Sequence, residues 1–145
     1  MVRPVASGSQ LLKEGVAIEI RPAISTDAPF ILSSWLWSYV GSAFANRIDR
    51  RTFFAGHHEY ATRLIGRGAV VAVLPDQRDV IIGFLVGAGE VLHYVYVKGR
   101  FWRMGIASEM MHHVYGDKPV NYSHEPTVTG LAFIRRFRAR YNPYM

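Results

Sequence analysis

The segment Val95-Tyr-Val-Lys-Gly-Arg-Phe-Trp-Arg-Met-Gly-Ile-Ala-Ser108 changes from an aromatic, β-branched run to a short basic turn and then to small residues. This pattern predicts a strand, a tight turn and a helix N-terminus. The first amide groups of a helix lack partners, and the helix dipole favours negative charge there. Gly105 and Ala107 carry little side chain, so a pyrophosphate can approach the backbone closely. The segment therefore predicts an anion site, with an ordinary strand-to-helix connection as the alternative interpretation.

The same segment resembles the acyl-CoA-binding segment of the GNAT acyltransferase superfamily, usually Val-x-Pro-x-x-(Arg/Gln)-x-x-Gly-x-(Gly/Ala). Val97, Gly105 and Ala107 fall in register, Lys98-Gly99 replaces the usual residue and proline, and Trp102 replaces Arg or Gln. The resemblance implies a mixed α/β sheet, acetyl-CoA or another acyl-CoA as the cofactor, and an amine as the acceptor.

The rest of the chain supplies elements in a compatible order. Apolar periodicity predicts strands at 18–23, 69–74, 80–86, 91–97 and 119–124, and helices at 30–39, 49–65, 105–115 and 129–140. The order β-α-α-β-β-β-α-β-α resembles a C-terminally truncated GNAT-like fold over residues 17–141, without the usual final pair of antiparallel strands. We predict an N-terminal arm at 1–16 and a single domain at 17–145.

Composition restricts the class of protein. Half of the 145 residues are apolar and 13% are aromatic, which favours a globular domain over disorder. The chain has no cysteine, which excludes disulfides, cysteine-based zinc sites and a thiol nucleophile. It has no apolar run of about 18 residues and no secretory signal pattern at its start, so a cytoplasmic protein without a membrane span is expected.

The family resemblance also implies which residues hold the cofactor. The pantetheine arm would lie between the fourth and fifth strands and bond to the backbone of Val95, Tyr96 and Val97. The pyrophosphate would contact the amides that begin the next helix, with charge from nearby arginines. The residues implied for this second role are Arg100, Arg103, Met104, Gly105, Ile106, Ala107 and Ser108.

Catalytic candidates follow from the same resemblance, with alternatives left open. Some relatives use a glutamate near the start of the fourth strand as the base. Here Glu90 is one residue out of register unless a bulge at Gly89 restores it, and a solvated loop carboxylate is the alternative. His93 has a pKa range suited to a base, with a hydrogen-bonded sheet histidine as the alternative.

The usual acid is a tyrosine in the last helix, and Arg136 occupies that position here. Tyr122, Ser123, His124 and Tyr141 are the substitutes, and loop hydrogen bonding is their alternative role. Neither the pair at 57–58 nor the pair at 112–113 is expected to bind metal, because adjacent histidines on a helix point about 100° apart.

The net charge of +6 permits a polyanionic partner such as nucleic acid. Basic and aromatic residues alternate near the C-terminus, where solvated arginines on an amphipathic helix are the alternative interpretation. The arginines in question are Arg135, Arg136, Arg138 and Arg140.

Three functions therefore compete. The first is N-acyl transfer to a small-molecule or protein amine. The second is a nucleic-acid-modifying enzyme on the same fold, as in the phage Mom family. The third is a GNAT-fold protein without catalysis that serves as a binding or virion component, and the short chain ending in Tyr-Asn-Pro-Tyr resembles bacteriophage-encoded members. A homo-oligomer is compatible with each function.

Overall fold

A computed structural model describes residues 8–11 and 17–145 of the protein. The described residues form one sheet of seven strands, which lie in the sheet in the order in which they occur along the chain. The four pairs from β1–β2 to β4–β5 are antiparallel, whereas the pairs β5–β6 and β6–β7 are parallel. The strands are β1 (Gly8–Leu11), β2 (Ala17–Pro22), β3 (Ala69–Leu74), β4 (Gln77–Ala88), β5 (Val91–Val97), β6 (Asn121–Tyr122) and β7 (Arg140–Tyr141).

Within residues 17–145, five α-helices cover the sheet, and short 3-10 turns precede α1 and α4. The helices are α1 (Ala28–Tyr39), α2 (Ala43–Asn46), α3 (Arg50–Arg67), α4 (Ile106–Tyr115) and α5 (Val128–Arg136). Side chains of α1 and α3 pack on one face against Val71, Val73 and Phe84. Side chains of α4 and α5 pack on the opposite face against strand residues such as Ile82 and Leu85. The predicted mixed sheet with helices on both faces is confirmed.

Local sequence signals account for several element boundaries. Asp49 caps α3 by accepting a hydrogen bond from the amide of Thr52 at 3.1 Å. Asp27, just before α1, accepts two hydrogen bonds from Arg21 and one from the amide of Ile24. Burial acts to raise the pKa of Asp27, but these donors and the Arg21 charge hold it below its usual value. This buried ion pair fixes the end of β2 against the start of α1.

Three elements were not predicted. Strand β1 lies inside the predicted arm and pairs with β2, and the rest of the arm lies outside the described residues. The short helix α2 follows Gly41, with Ser42 as its cap. The third, β7, is a two-residue strand at the chain's end, where the last helix was predicted to continue.

The last helix ends at Arg136 rather than Arg140 because Arg138 adopts a left-handed conformation, with φ of 52°. The amide of Ala139 then bonds to the carbonyl of Ile134, as in a Schellman-type helix end. The chain leaves the helix and pairs beside β6. No helix among the described residues is long and apolar enough to cross a membrane.

Candidate functional site

Strands β5 and β6 separate soon after they meet. Only Val91 and Leu92 of β5 pair with β6, so no strand in the described part of the chain pairs with the β5 edge from His93 to Val97 on that side. A cleft of about 660 Å³ opens there. Its walls are the β5 edge, the turn before α4, the first residues of α4, the 122–127 segment and one side of α5.

Backbone direction decides which β5 groups face this cleft. The amide of Lys98 bonds to the carbonyl of Ile82, on the β4 side. Because backbone groups alternate sides along an antiparallel strand, those of Tyr96 also face β4 and those of Val95 and Val97 face the cleft. Of the three residues implied to bind pantetheine, Tyr96 therefore directs its backbone groups away from the opening.

Trp102 lies at the same edge. Its indole Nε1 donates to the carbonyl of Val97 at 2.6 Å, and its side chain is 59% exposed. The tryptophan is therefore part of the wall of the cleft and does not lie in the core. Its hydrogen bond occupies the Val97 carbonyl and leaves Val95 with both polar backbone groups directed at the opening.

The turn before α4 has the features of an anion site. Arg103 and Gly105 have positive φ values of 65° and 86°, and Gly105 is the N-cap of α4 without a side-chain cap. The first helical hydrogen bond runs from the amide of Glu109 to the carbonyl of Gly105, so the amides of residues 105–108 have no partner within the helix. A Cβ at Gly105 would meet no atom within 4 Å, which leaves the approach open.

The basic side chains predicted beside this turn are exposed. Arg103 lines the cleft, whereas Arg100 lies over the ring of Phe101 at 5.5 Å. Met104 and Ile106 pack into the core beneath the turn.

A bulge in β5 determines where His93 points. Val86 pairs with Tyr94 and Gly87 pairs with Leu92, so His93 is the extra residue without a partner on β4. Its ring lies beside His124, on the sheet face that carries α1 and α3. The bulge considered for Glu90 therefore lies at His93, and it turns this histidine to the same face as Tyr94.

Ser123 lies between two imidazoles. Its hydroxyl is 2.5 Å from Nδ1 of His93 and 2.9 Å from Nδ1 of His124. His93 and Ser123 are both buried, and both histidines line the cleft. The serine reaches His93 because the amide of Ser123 bonds to the carbonyl of Leu92 where β6 ends.

Burial keeps these imidazoles uncharged. Burial, with a smaller effect of the Arg67 charge, lowers the pKa of His93 to about 4. Burial, assisted by His57 and His93, lowers the pKa of His124 to about 3. Burial alone lowers the pKa of His57 to about 4. At neutral pH all three rings are uncharged, so each can donate one hydrogen bond through its single ring N–H and accept another at its bare ring nitrogen.

Other candidates lie further from this group. Glu90 is an exposed residue of the β4–β5 turn, which agrees with the alternative that it is a solvated loop carboxylate. Its backbone carbonyl accepts a hydrogen bond from the amide of Asn121. Tyr122 lines the cleft and packs on Tyr141 with ring centroids 5.2 Å apart. Tyr141 itself is 52% exposed on β7. The structure thus brings His93 and Tyr122 to the cleft, places Ser123 buried beside His93, and leaves Glu90 outside the cleft.

Sequence reasoning missed the aromatic group behind the two histidines. Rings of Trp35, Tyr39, His57 and Tyr60 surround His124 at centroid distances of 5.1–5.8 Å. Helical spacing was the available signal, because Phe53, His57, Ala61 and Leu64 lie on one buried face of α3. From the sequence, the histidine pair at 57–58 is weighed only as a metal site and not as part of an aromatic group. Among the described residues, no group of three or more ligating side chains could hold a metal ion.

The four arginines near the C-terminus are all exposed. Arg136 lies over the ring of Phe137 at 5.9 Å, and Phe137 packs towards the core. The residues of α5 that line the cleft are Thr129, Gly130, Phe133 and Ile134.

No family model matches the chain, and no curated protein matches its sequence. The structure is similar to the crystal structure of a possible acetyltransferase from Clostridium difficile 630, with a TM-score of 0.56 and 15% sequence identity. The likeness covers 88% of this chain and 93% of that chain. The chain therefore has an acetyltransferase-like fold.

Proposed function

We propose that this protein is a CoA-dependent N-acyltransferase of the GNAT type, which moves an acetyl or other acyl group from acyl-CoA to an amine. The observation that carries the proposal is the opening between β5 and β6, which leads to the uncapped N-terminus of α4. Its volume of about 660 Å³ is in the usual range for a small-molecule site.

The parts of the cofactor have plausible partners along this opening. The amides of the pantetheine arm would bond to the free backbone groups of Val95. The pyrophosphate would accept hydrogen bonds from the amides of residues 105–108, where the helix dipole also favours its charge. Arg103, on the cleft wall, would add a charged contact to phosphate.

The reaction needs one bond formed and one broken. The amine nitrogen attacks the thioester carbonyl, the carbon–sulfur bond breaks, and CoA leaves as a thiolate. The amine loses a proton and the thiolate gains one. His93, neutral and on the cleft wall, is the proton acceptor in this proposal. Because its pKa is low, the acceptor amine must enter uncharged, since a weak base cannot deprotonate an ammonium group effectively.

The cofactor site is tested by two substitutions at one glycine. Asn and Asp both tolerate the left-handed conformation of Gly105, so they impose similar backbone strain. Gly105→Asp adds a carboxylate to the anion site, whereas Gly105→Asn adds a neutral side chain of the same size. Isothermal titration with acetyl-CoA should show binding to the unmutated protein, weaker binding to Gly105→Asn and the greatest loss with Gly105→Asp. Absence of heat with millimolar acetyl-CoA for the unmutated protein would overturn the proposal.

Turnover is tested by thiol release from acetyl-CoA in the presence of small amines, peptides or DNA. His93→Gln should lower the rate of transfer by about 10²–10⁴-fold while retaining acetyl-CoA binding. Binding without release above hydrolysis for any acceptor would instead favour a GNAT-fold protein without catalysis.

A second candidate is transfer to an acceptor carried by nucleic acid. Its supporting observation is the position of the exposed arginines of residues 135–140, next to a helix that lines the cleft. Affinity for DNA should then fall steeply with salt, by roughly 0.9 log units per log of salt for each duplex phosphate neutralised. The double substitution Arg136→Gln and Arg140→Gln should flatten that slope. No DNA binding at low salt would eliminate this candidate.

A further inference from the structure

The hydroxyl of Ser123 can donate only one hydrogen, yet it lies within hydrogen-bond distance of two ring nitrogens, Nδ1 of His93 and Nδ1 of His124. Among the described residues this buried hydroxyl has no third partner. Because a buried hydroxyl hydrogen needs an acceptor, the serine donates to one imidazole and accepts from the other. When two neutral histidines are joined in this way, one ring carries its hydrogen on Nδ1 and the other carries its hydrogen on Nε2.

The surroundings of His124 favour one of the two arrangements. The ring of His124 makes T-shaped contacts with Trp35, Tyr39 and His57, and its Nε2 is buried among the described residues without a hydrogen-bond partner. Aromatic faces carry partial negative charge, so they accept an N–H weakly and repel a bare lone pair. The hydrogen of His124 is therefore better placed on Nε2, which leaves its Nδ1 bare to accept from Ser123.

Through Ser123, the tautomer of His124 sets the tautomer of His93, which lines the cleft. If Ser123 donates to His124, its oxygen accepts from Nδ1–H of His93. Nε2 of His93 is then the bare nitrogen, and this is the form that can take a proton from an amine.

We propose that Ser123 and His124 are positioning residues that hold His93 in its base form, with Nδ1 protonated and Nε2 bare at the cleft. This inference rests on the proposed acyl transfer for its catalytic meaning. When Nε2 of His93 takes the proton of the attacking amine, the positive charge stays on His93, because the pKa of His124 is the lower of the two, and the hydroxyl of Ser123 continues to accept the Nδ1–H of His93. Nε2 of His93 then protonates the CoA thiolate, which restores the starting state.

Several charged or titratable groups surround this chain of hydrogen bonds. They are Arg67 and His57 with Tyr60 on α3, Tyr39 on α1, Tyr94 on β5 and Glu125 after β6. Glu125 is paired with Arg47 at 2.6 Å, and no carboxylate among the described residues bonds to either imidazole. Burial and the hydrogen bonds of Ser123 therefore determine the protonation of His93 and His124.

The first test does not depend on activity. Nitrogen-15 NMR of histidine-labelled protein at pH 7 should show His93 with hydrogen on Nδ1 and His124 with hydrogen on Nε2, both neutral. Single histidine substitutions assign the signals. The same tautomer at both positions, the inverse pair, or a charged ring at pH 7 would overturn the proposal. Ser123→Ala should abolish the opposed pattern.

The second test separates positioning from cofactor binding. Ser123→Ala and His124→Phe, which keeps an aromatic ring in place, should lower kcat and shift the acidic limb of the pH profile of kcat/KM. In metal sites, loss of such outer partners costs about 10–100-fold, and a loss of that order is expected here. The Kd for acetyl-CoA should not change, and the exposed control Ser33→Ala should match the unmutated protein.

The two proposals fail in different ways. Unchanged kcat and pH profile in both variants, with transfer intact in the unmutated protein, would remove the positioning role and leave acyl transfer standing. Lack of acetyl-CoA binding in the unmutated protein, with opposed tautomers present, would remove the acyl-transfer function and with it the catalytic role of His93.

Discussion

At the scale of single residues, Trp102 is the departure from the acyl-CoA pattern with the most direct structural effect. An arginine or glutamine at this position would add polar donors near the phosphate site. The tryptophan instead bonds to the β5 edge and lines the cleft with its exposed ring. In the proposed function, contacts to the phosphates would therefore come from backbone amides and from neighbouring arginines.

This placement predicts a fluorescence signal for cofactor binding. Acetyl-CoA should change the emission of Trp102, because the ligand would displace water from its exposed ring. Trp102→Phe should remove the change. Trp37→Phe should retain it, because Trp37 packs on Phe54 and does not line the cleft. An equal change in both variants would show that the ligand binds elsewhere.

At the scale of elements, the β4–β5 hairpin carries the feature on which the candidate site depends. Its bulge turns His93 towards His124, and Gly87 pairs across it with Leu92. A Cβ at Gly87 would lie 2.5 Å from the carbonyl of Val91 and would also meet the hydroxyl of Tyr115. That hydroxyl donates to the same carbonyl at 2.6 Å, so the space is closed by backbone and by a fixed side chain.

Gly87→Ala should therefore lower the free energy of unfolding by about 1–3 kcal/mol, because the hairpin must move to make room. Gly56→Ala is the matched control in the exposed interior of α3, where a Cβ meets no atom within 4 Å. It should raise stability by about 0.5–1 kcal/mol. Urea unfolding measures both, and equal stability of the two variants would contradict the close packing at Gly87.

At the scale of the whole molecule, three histidines make stability depend on pH: His57 and His93, which are buried, and His124, which is half-buried. Their folded pKa values of about 4, 4 and 3 lie below the unfolded value near 6.5. Between the folded pKa values and pH 6.5, the unfolded chain therefore binds more protons than the folded chain does. The stabilising contribution is complete above pH 6.5 and is lost as the pH falls towards 4.

We expect the free energy of unfolding to decrease below pH 6.5 by up to about 1.4 kcal/mol per pH unit for each of these histidines. His57→Phe should reduce this slope by about a third, because it removes one of the three titrating groups. The phenyl ring that replaces the imidazole can stack on Phe53 as the imidazole does. Urea unfolding at several pH values between 7.5 and 4.5 provides the measurement. Constant stability from pH 7.5 to 5 would show that the imidazoles are not buried in neutral form.

The strand at 91–97 and the helix at 105–115 were predictable, with the helix beginning one residue later at Ile106. Alternation in a strand and the role of Gly105 at a helix start depend on residues only a few positions apart. These local signals were sufficient to predict the turn before α4 and its candidate anion site. They also led to the mixed sheet, since the resemblance rested on the same segment.

The contacts of His93 with Ser123 and His124 could not be derived in that way. Ser123 lies 30 positions after His93, and their contact requires both the bulge in β5 and the short parallel pairing with β6. The side on which Trp102 lies and the left-handed end of α5 at Arg138 likewise depend on packing between distant segments. Periodicity identifies which residues share a face, but register and bulges are set by the partner strand, so only the folded chain brings these side chains together.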